Sequence, residues 1–417
     1  MSTHSLPELK LMEYRQRRQL ESLRNQLYLK DDLDQSPDIT DKLDKAEIKL
    51  KEIQEKRQEL ERSTTPATDA VLLSNEPADV TKPGGILLGA DSTGIETKVL
   101  LRMSRVPTGV AHLLDVKETP LVSFKVKNKK DEILRVRLTS YIEGFSAKAV
   151  DTVEIEALAP AVTIDQLPTF FPDRLASVTE LTRATLNIRI DDLDGKTEKE
   201  STFPIWLMAR TSAFNSIYDP ATKDWKDISH YYGAWVTPNV PEVMQILRRA
   251  ADLHPDKSMA GYQVDKAGVK EQVKAIYKAL QAEKIMYIHS IVNFGATDQQ
   301  DMQRVRLPRE SLANKSANCI DGTCLMASVL EAASINPGFV FVPGHAFLAW
   351  QTEEDADDWD YVETTMISTH SFEAACKEGR RQAKEQQAAF ETSQDISDYL
   401  RYSLAELRAL RGIYPME

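Results

Sequence analysis

A thiol, an imidazole and a carboxylate stand in order within about fifty residues: Cys319 in Asn318-Cys319-Ile320-Asp321-Gly322-Thr323, His345 in Gly344-His345-Ala346-Phe347, and Glu363 in Val362-Glu363-Thr364. Those residue types are what a cysteine nucleophile, its base and an acid that orients the base require. A thiol is mostly protonated near neutrality, so the chemistry needs a positive local field as well as a base. Ile320 through Ser334 has no proline, carries Leu325, Met326, Ala327, Val329, Leu330, Ala332 and Ala333, and is closed by Asn336-Pro337-Gly338. That pattern predicts a mostly buried helix with Cys319 at its amino end. Unpaired N–H groups and the helix dipole there stabilise negative charge on sulfur.

The elements that must bring the other two side chains to the thiol are strands. Phe339-Val340-Phe341-Val342 and Ala346-Phe347-Leu348-Ala349-Trp350 read as strand, and Trp359-Asp360-Tyr361-Val362-Glu363 as another, with the acidic stretch Glu353 to Asp358 as the turn. An antiparallel hairpin centred near Glu354 puts His345 directly across from Glu363 and sets Phe347 and Tyr361 on the same face. Directly opposed side chains come close enough to hydrogen-bond, so Glu363 can orient the ring and stabilise the imidazolium formed when Cys319 loses its proton.

A cysteine at a helix start, a histidine on a strand and an acid on the next strand resemble the transglutaminase-like cysteine hydrolase superfamily. Its pattern runs Cys-x-Asp, then a small residue plus Ile or Leu, then His-Ala-aromatic, then Trp-x-x-hydrophobic-acid-x-Thr. This chain has Cys319-Ile320-Asp321, Ser334-Ile335, His345-Ala346-Phe347 and Trp359-Asp360-Tyr361-Val362-Glu363-Thr364-Thr365, a fit over roughly residues 262 to 367. The resemblance implies Cys319 as nucleophile, His345 as general base and acid, and Glu363 as the orienting acid. The chain departs from the usual pattern in having Glu363 where Asp is common. For the oxyanion, Gln263 and Gln303 are candidate side-chain donors, and the backbone N–H of Cys319 can supply another.

The other two thiols, and the imidazoles of His370 and His289, read as structural. Cys324 lies five residues beyond Cys319 and so about 140° around the helix, which makes it core packing. Cys376, among Lys, Arg and Gln, reads as an incidental thiol, His370 as a loop histidine, and His289 as a core or strand histidine. Cys319 and Cys324 form no zinc-ligand pair set, Asp191-Asp192-Leu193-Asp194-Gly195 fits a hairpin turn better than a calcium loop, and no phosphate-cradling glycine motif occurs. No cofactor and no metal are expected.

With 52 basic against 64 acidic residues in 417, the chain is not an expected nucleic-acid binder. Three cysteines form no disulfide framework, the start has no apolar run, and no stretch of about 18 apolar residues occurs. A cytoplasmic protein in a reducing compartment, without a membrane span, is the expectation.

The expected architecture is multidomain α+β. Residues 1–62 form a helical hairpin or coiled coil, from Leu9–Lys30 and Pro37–Arg62, with Ser36 as cap and Pro37 as first helical residue. Leu20, Leu23 and Leu27 face Leu43, Ala46, Leu50, Ile53 and Leu60 at three-four spacing, a narrow seam that needs a partner surface or the rest of the chain, and the hairpin reads either as a recruitment or oligomerisation module that binds a protein or as a solvated spacer. Residues 63–97, rich in Ser, Thr, Pro, Ala and Gly, read as a linker. From 98 to 212 the period becomes two: Leu134, Val136 and Leu138, and Ala184, Leu186, Ile188 and Ile190, alternate with polar residues. This suggests an antiparallel β-sandwich of immunoglobulin type. Residues 213–417 hold the transglutaminase-like (papain-like) domain, entered through amphipathic helices Pro241–Leu253 and Lys266–Glu283 and closed by helices Ser371–Thr392, interrupted by Gly379, and Ser393–Leu410. The functional expectation is a thiol peptidase or amidase acting on a protein or peptide through an acyl-enzyme. Its alternatives are a transglutaminase-type acyl transfer and a non-catalytic scaffold.

Overall fold

A computed structural model describes residues 37–64, 86–92, 94–194, 198–214, 216–219, 224–289, 302–354, 356–393 and 398–416. The expected first hairpin helix, Leu9–Lys30, lies outside the described residues. The second forms α1 (Pro37–Thr64), starting at the proline as expected. Ala46 and Ile53 are buried while Leu43 and Leu50 are half-buried, so the apolar side of α1 is its covered side. Lys49 Nζ donates to the Ser393 carbonyl at 2.6 Å, so this helix touches the C-terminal part of the chain.

Nine strands follow, beginning with β1 (Ile86–Ser92), β2 (Ile95–Leu101), β3 (Arg105–Val106), β4 (Val122–Asn128) and β5 (Leu134–Ile142). After β6 (Ala149–Ile155) and β7 (Val162–Gln166) comes the short helix α2 (Pro172–Ala176), then β8 (Thr182–Asp192) and β9 (Glu198–Leu207). They form two sheets, ordered β1-β2-β4-β7 and β3-β9-β8-β5-β6, and their inward residues join one apolar cluster. Leu134, Val136, Leu138, Leu186 and Ile188 are fully buried, as the period of two requires. The linker expectation is corrected at its end, because residues 86–92 and 95–97 are strand. A Ser/Thr/Gly-rich turn between short strands has the composition of a linker, and only the pairing of β1 with β2 distinguishes them.

The strand β10 (Ser212–Phe214) leads into a small hairpin, β11 (Ser216–Asp219) with β12 (Asp224–Asp227), and then α3 (Pro241–Leu253) and α4 (Lys266–Ala282). Next come β13 (Met286–Tyr287), β14 (Met302–Arg304), the short helix α5 (Pro308–Asn314), β15 (Ser316–Ala317) and the central helix α6 (Cys319–Ala332). β14 pairs antiparallel with β10, and β13 runs parallel beside β15. The last sheet contains β16 (Pro337–Val342), β17 (His345–Gln351), β18 (Trp359–Val362) and, after α7 (Phe372–Ser393), β19 (Leu400–Ser403). Its order is β18-β17-β16-β19, antiparallel throughout, and α8 (Leu404–Arg411) ends the described fold.

Two C-terminal expectations are corrected. The stretch expected as one helix from Ser393 instead contains β19, which pairs with the free edge of β16; that edge is set by tertiary pairing and leaves no local signal. Gly379 does not interrupt α7. It lets the helix abut β18, since a Cβ there would lie 2.8 Å from the Val362 nitrogen.

Candidate active site

The first turn of α6 presents the thiol. Asn318 caps the helix: its side chain accepts from the Asp321 N–H at 2.8 Å, and Asp321 accepts in return from the Asn318 N–H at 3.0 Å. This reciprocal box satisfies two orphan donors and fixes where the helix begins. Asp321 also accepts from the Arg306 N–H and guanidinium, each at 2.7 Å. The Cys319 carbonyl is held by the hydroxyls of Thr323 at 2.8 Å and Thr364 at 3.4 Å, the latter next to Glu363 in sequence. The turn that carries Cys319 is thereby tied to the segment that carries Glu363. Cys319 is 7% exposed.

His345 opens β17 directly after the Pro343-Gly344 turn, in which Gly344 takes a φ of 68°, a conformation glycine adopts without strain. Its Nε2 and Glu363 Oε2 are 2.7 Å apart. The expected register is corrected by two residues. Leu348 pairs with Val362, so continuing the ladder sets Glu363 opposite Phe347 rather than His345. The acidic turn's own bonds explain the offset: the Thr352 N–H donates to the Asp358 carbonyl at 2.9 Å and Gln351 Nε2 to the Ala356 carbonyl at 2.6 Å. A shift of two preserves which face each side chain occupies. Phe347 and Tyr361 still meet, with ring centroids 6.4 Å apart, and His345 and Glu363 meet along the diagonal. The extra methylene of Glu363, compared with aspartate, suits that longer reach.

The Glu363 side chain is 3% exposed and the His345 side chain 24%. Glu363 Oε1 accepts from the Thr365 N–H at 2.9 Å and the Thr365 hydroxyl at 2.7 Å, while Oε2 accepts from Gln382 Nε2 at 2.9 Å besides meeting the ring. Burial by itself would raise this carboxyl's pKa; His345 and Thr365 outweigh it and hold the pKa below the usual range. Burial likewise works against charge on the ring. Hydrogen bonding to Cys319 and Glu363 and their negative charge prevail, carrying the His345 pKa up to about 10. Since Nε2 faces Glu363, Nδ1 is the ring atom left for the thiol.

Gln303, on β14, places its Nε2 3.7 Å from Cys319 Sγ. Gln263 is corrected as a candidate: it is exposed in a short turn whose Tyr262 hydroxyl bonds the Gln351 carbonyl, at the other end of β17 from His345. Cys324 is fully buried, and burial drives its thiol pKa far up. Cys376 is buried as well, with a pKa pushed to about 12 chiefly by burial, so it packs in the core beneath its polar sequence context. His370 is an exposed loop residue bonded to Thr369, and His289, expected in core or strand, is exposed just past β13. Two residues near the trio carried no sequence signal. Gln382 reaches Glu363 from α7, and Tyr287 lies within electrostatic range of Cys319 and Glu363. Both approach through chain packing rather than through any spacing around Cys319.

Among the described residues, no group of three or more His, Cys, Asp or Glu side chains could hold a metal ion, and no helix is long and apolar enough to cross a membrane. No protein-family model matches the chain, and no curated protein matches it. A crystal structure of a FixG-related protein from Vibrio parahaemolyticus aligns at 16% identity and a TM-score of 0.20, covering 27% of this chain and 96% of that one.

Proposed function

We propose that the chain is a thiol hydrolase, a peptidase or amidase of transglutaminase-like type, in which Cys319, His345 and Glu363 form the catalytic triad. The nine-strand region is read as an immunoglobulin-type sandwich that positions the catalytic part or its substrate. The observation that carries the reading is the 2.7 Å contact between His345 Nε2 and Glu363 Oε2, on a ring whose proton affinity is raised by the adjacent Cys319. In this reading Nδ1 takes the thiol proton and Sγ attacks a substrate carbonyl carbon, forming the S–C bond and moving the π electrons onto oxygen. The oxyanion receives hydrogen bonds from Gln303 Nε2 and from the Cys319 N–H, which has no intrahelical acceptor at the first position of α6. Collapse breaks the C–N bond, and the amine leaves with the proton held by His345. The ring then deprotonates a water that attacks the thioester, releasing a carboxylate and restoring the thiol. Glu363 keeps the ring in one tautomer and offsets its charge at both stages.

The test is alkylation by an iodoacetamide probe at about pH 6, where an unactivated thiol reacts poorly. Cys319 is expected to label stoichiometrically, the label to vanish in Cys319→Ala, and Cys324→Ala to label like wild type. Labelling no faster than that of a free thiol would refute the reading in favour of a scaffold. Product mass spectrometry separates hydrolysis from acyl transfer: free carboxylates support the first, isopeptide-linked species the second.

A further inference from the structure

We propose that Gln382 is a positioning residue of this site, whose side-chain amide holds Glu363 against the His345 ring. The proposal rests on the thiol-hydrolase reading. It begins with how α7 is anchored. The Glu363 N–H donates to the Ala375 carbonyl at 3.1 Å, and Gly379 sits against the Val362 backbone, so two points of the helix are fixed relative to the acid. Gln382 comes on the next turn of the same face. Its Nε2 donates to Glu363 Oε2 at 2.9 Å and to Glu378 Oε1 at 3.1 Å, while the neighbouring Ala383 is buried with Phe347 and Ala349. The amide therefore has little freedom to swing away from the carboxylate.

The residue type suits the task. Oε2 must face the ring, yet a carboxylate with a vacant lone-pair direction can rotate out of that contact. A second donor on the same oxygen, together with Thr365 on Oε1, fills the remaining directions. A lysine or arginine would do this too, but its charge would cancel the field by which Glu363 stabilises the imidazolium. A neutral amide orients without neutralising. The groups around Glu363 agree with this: His345 from β17, Cys319 from α6, Tyr277 from α4 and Tyr287 from β13, with Glu378 from α7 acting on His345. Of these only His345 becomes cationic. Arg381, next to Gln382, is engaged instead by Glu378 and Glu385.

The experiment measures the rate of Cys319 alkylation by iodoacetamide between pH 5 and 9 in the full-length protein, for wild type, Gln382→Leu and Gln382→Glu. The glutamate variant keeps the side chain's shape, so circular dichroism and the pH profile together separate a loss of fold from a loss of the contact to Glu363. That contact is lost because a donor becomes an ionised acceptor facing Glu363 and Glu378. Both variants are expected to keep the wild-type fold by circular dichroism and to lose about tenfold in rate at pH 7, the loss of one charge-assisted hydrogen bond. The pH profile should change shape, with the glutamate variant affected more. Wild-type profiles in both variants would overturn the proposal, as would a change confined to one of them. Failure of the underlying reading looks different, since wild-type Cys319 would then show no activation at pH 6.

Discussion

Carboxylates are buried in both β-rich regions of this chain, and each region neutralises them differently. In the larger of the first two sheets, Asp191 and Asp192 pair with permanent cations: Arg189 at 2.8 Å and Arg137 at 3.3 Å on the first, Lys130 at 2.8 Å on the second. Beside the thiol, Glu363 is surrounded by a titratable ring, an amide, a hydroxyl and a backbone N–H. A guanidinium stays charged across the accessible pH range, so the acid it pairs with is spent on holding structure. Neutral donors leave the charge intact, free to act on whatever proton the adjacent ring takes up. Asp321 supplies an internal control, because it lies two residues from Cys319 yet is paired with Arg306 in the manner of the first region. Proximity to the thiol does not by itself set an acid's role; the partners around its carboxylate differ, and they are what the proposed triad depends on.

The largest effect that could break this contrast comes from Glu363→Gln. If the carboxylate acts through charge, activity should fall about a thousandfold or more while the fold persists, the scale seen when a triad acid becomes an amide. The sign for the ring follows. Its pKa stands at about 10 against an ordinary 6.5, raised in part by Glu363, so the variant's pKa must drop. Nitrogen NMR on labelled histidine should show the His345 titration midpoint lower in the variant than in wild type, with the contribution of Cys319 remaining; an unchanged midpoint would sink the role given to Glu363. By the same linkage, the stability this ring contributes is complete below about 6.5 and drains away as pH rises through about 10.

Asp321→Ala tests the structural class. It leaves the 11% exposed Arg306 side chain without its carboxylate and removes half of the capping box. Urea unfolding should report a loss of about 3–5 kcal/mol; a loss under about 1 kcal/mol would mean that the pair is not holding the start of α6. The smallest effect is expected for Asp191→Asn. Arg137 and Arg189 are 47% and 38% exposed and can rehydrate, so the change should be about 1 kcal/mol or less. A larger loss would show that the sheet's ion pairs resemble the Arg306–Asp321 pair after all.

The sequence by itself determined many of the local elements and the order of the thiol, imidazole and carboxylate along the chain. The apolar run after Cys319, with Asn318 and Asp321 spaced for a capping box, specifies a helix starting at the thiol, because helix hydrogen bonds and caps join residues three and four apart. Alternation likewise specifies the strands, and it fixes His345 and Glu363 on one face even though the expected register was two residues out, because the face depends only on odd or even position. Tertiary structure alone decided the rest. It closed the acidic turn where its own hydrogen bonds placed it, turned residues 86–92 and 400–403 into strands by giving them partners, and swung Gln303 to the sulfur and Gln382 to the carboxylate. Each of these depends on which distant segments pack together, and neighbouring residues carry no record of a contact made only when the chain returns on itself.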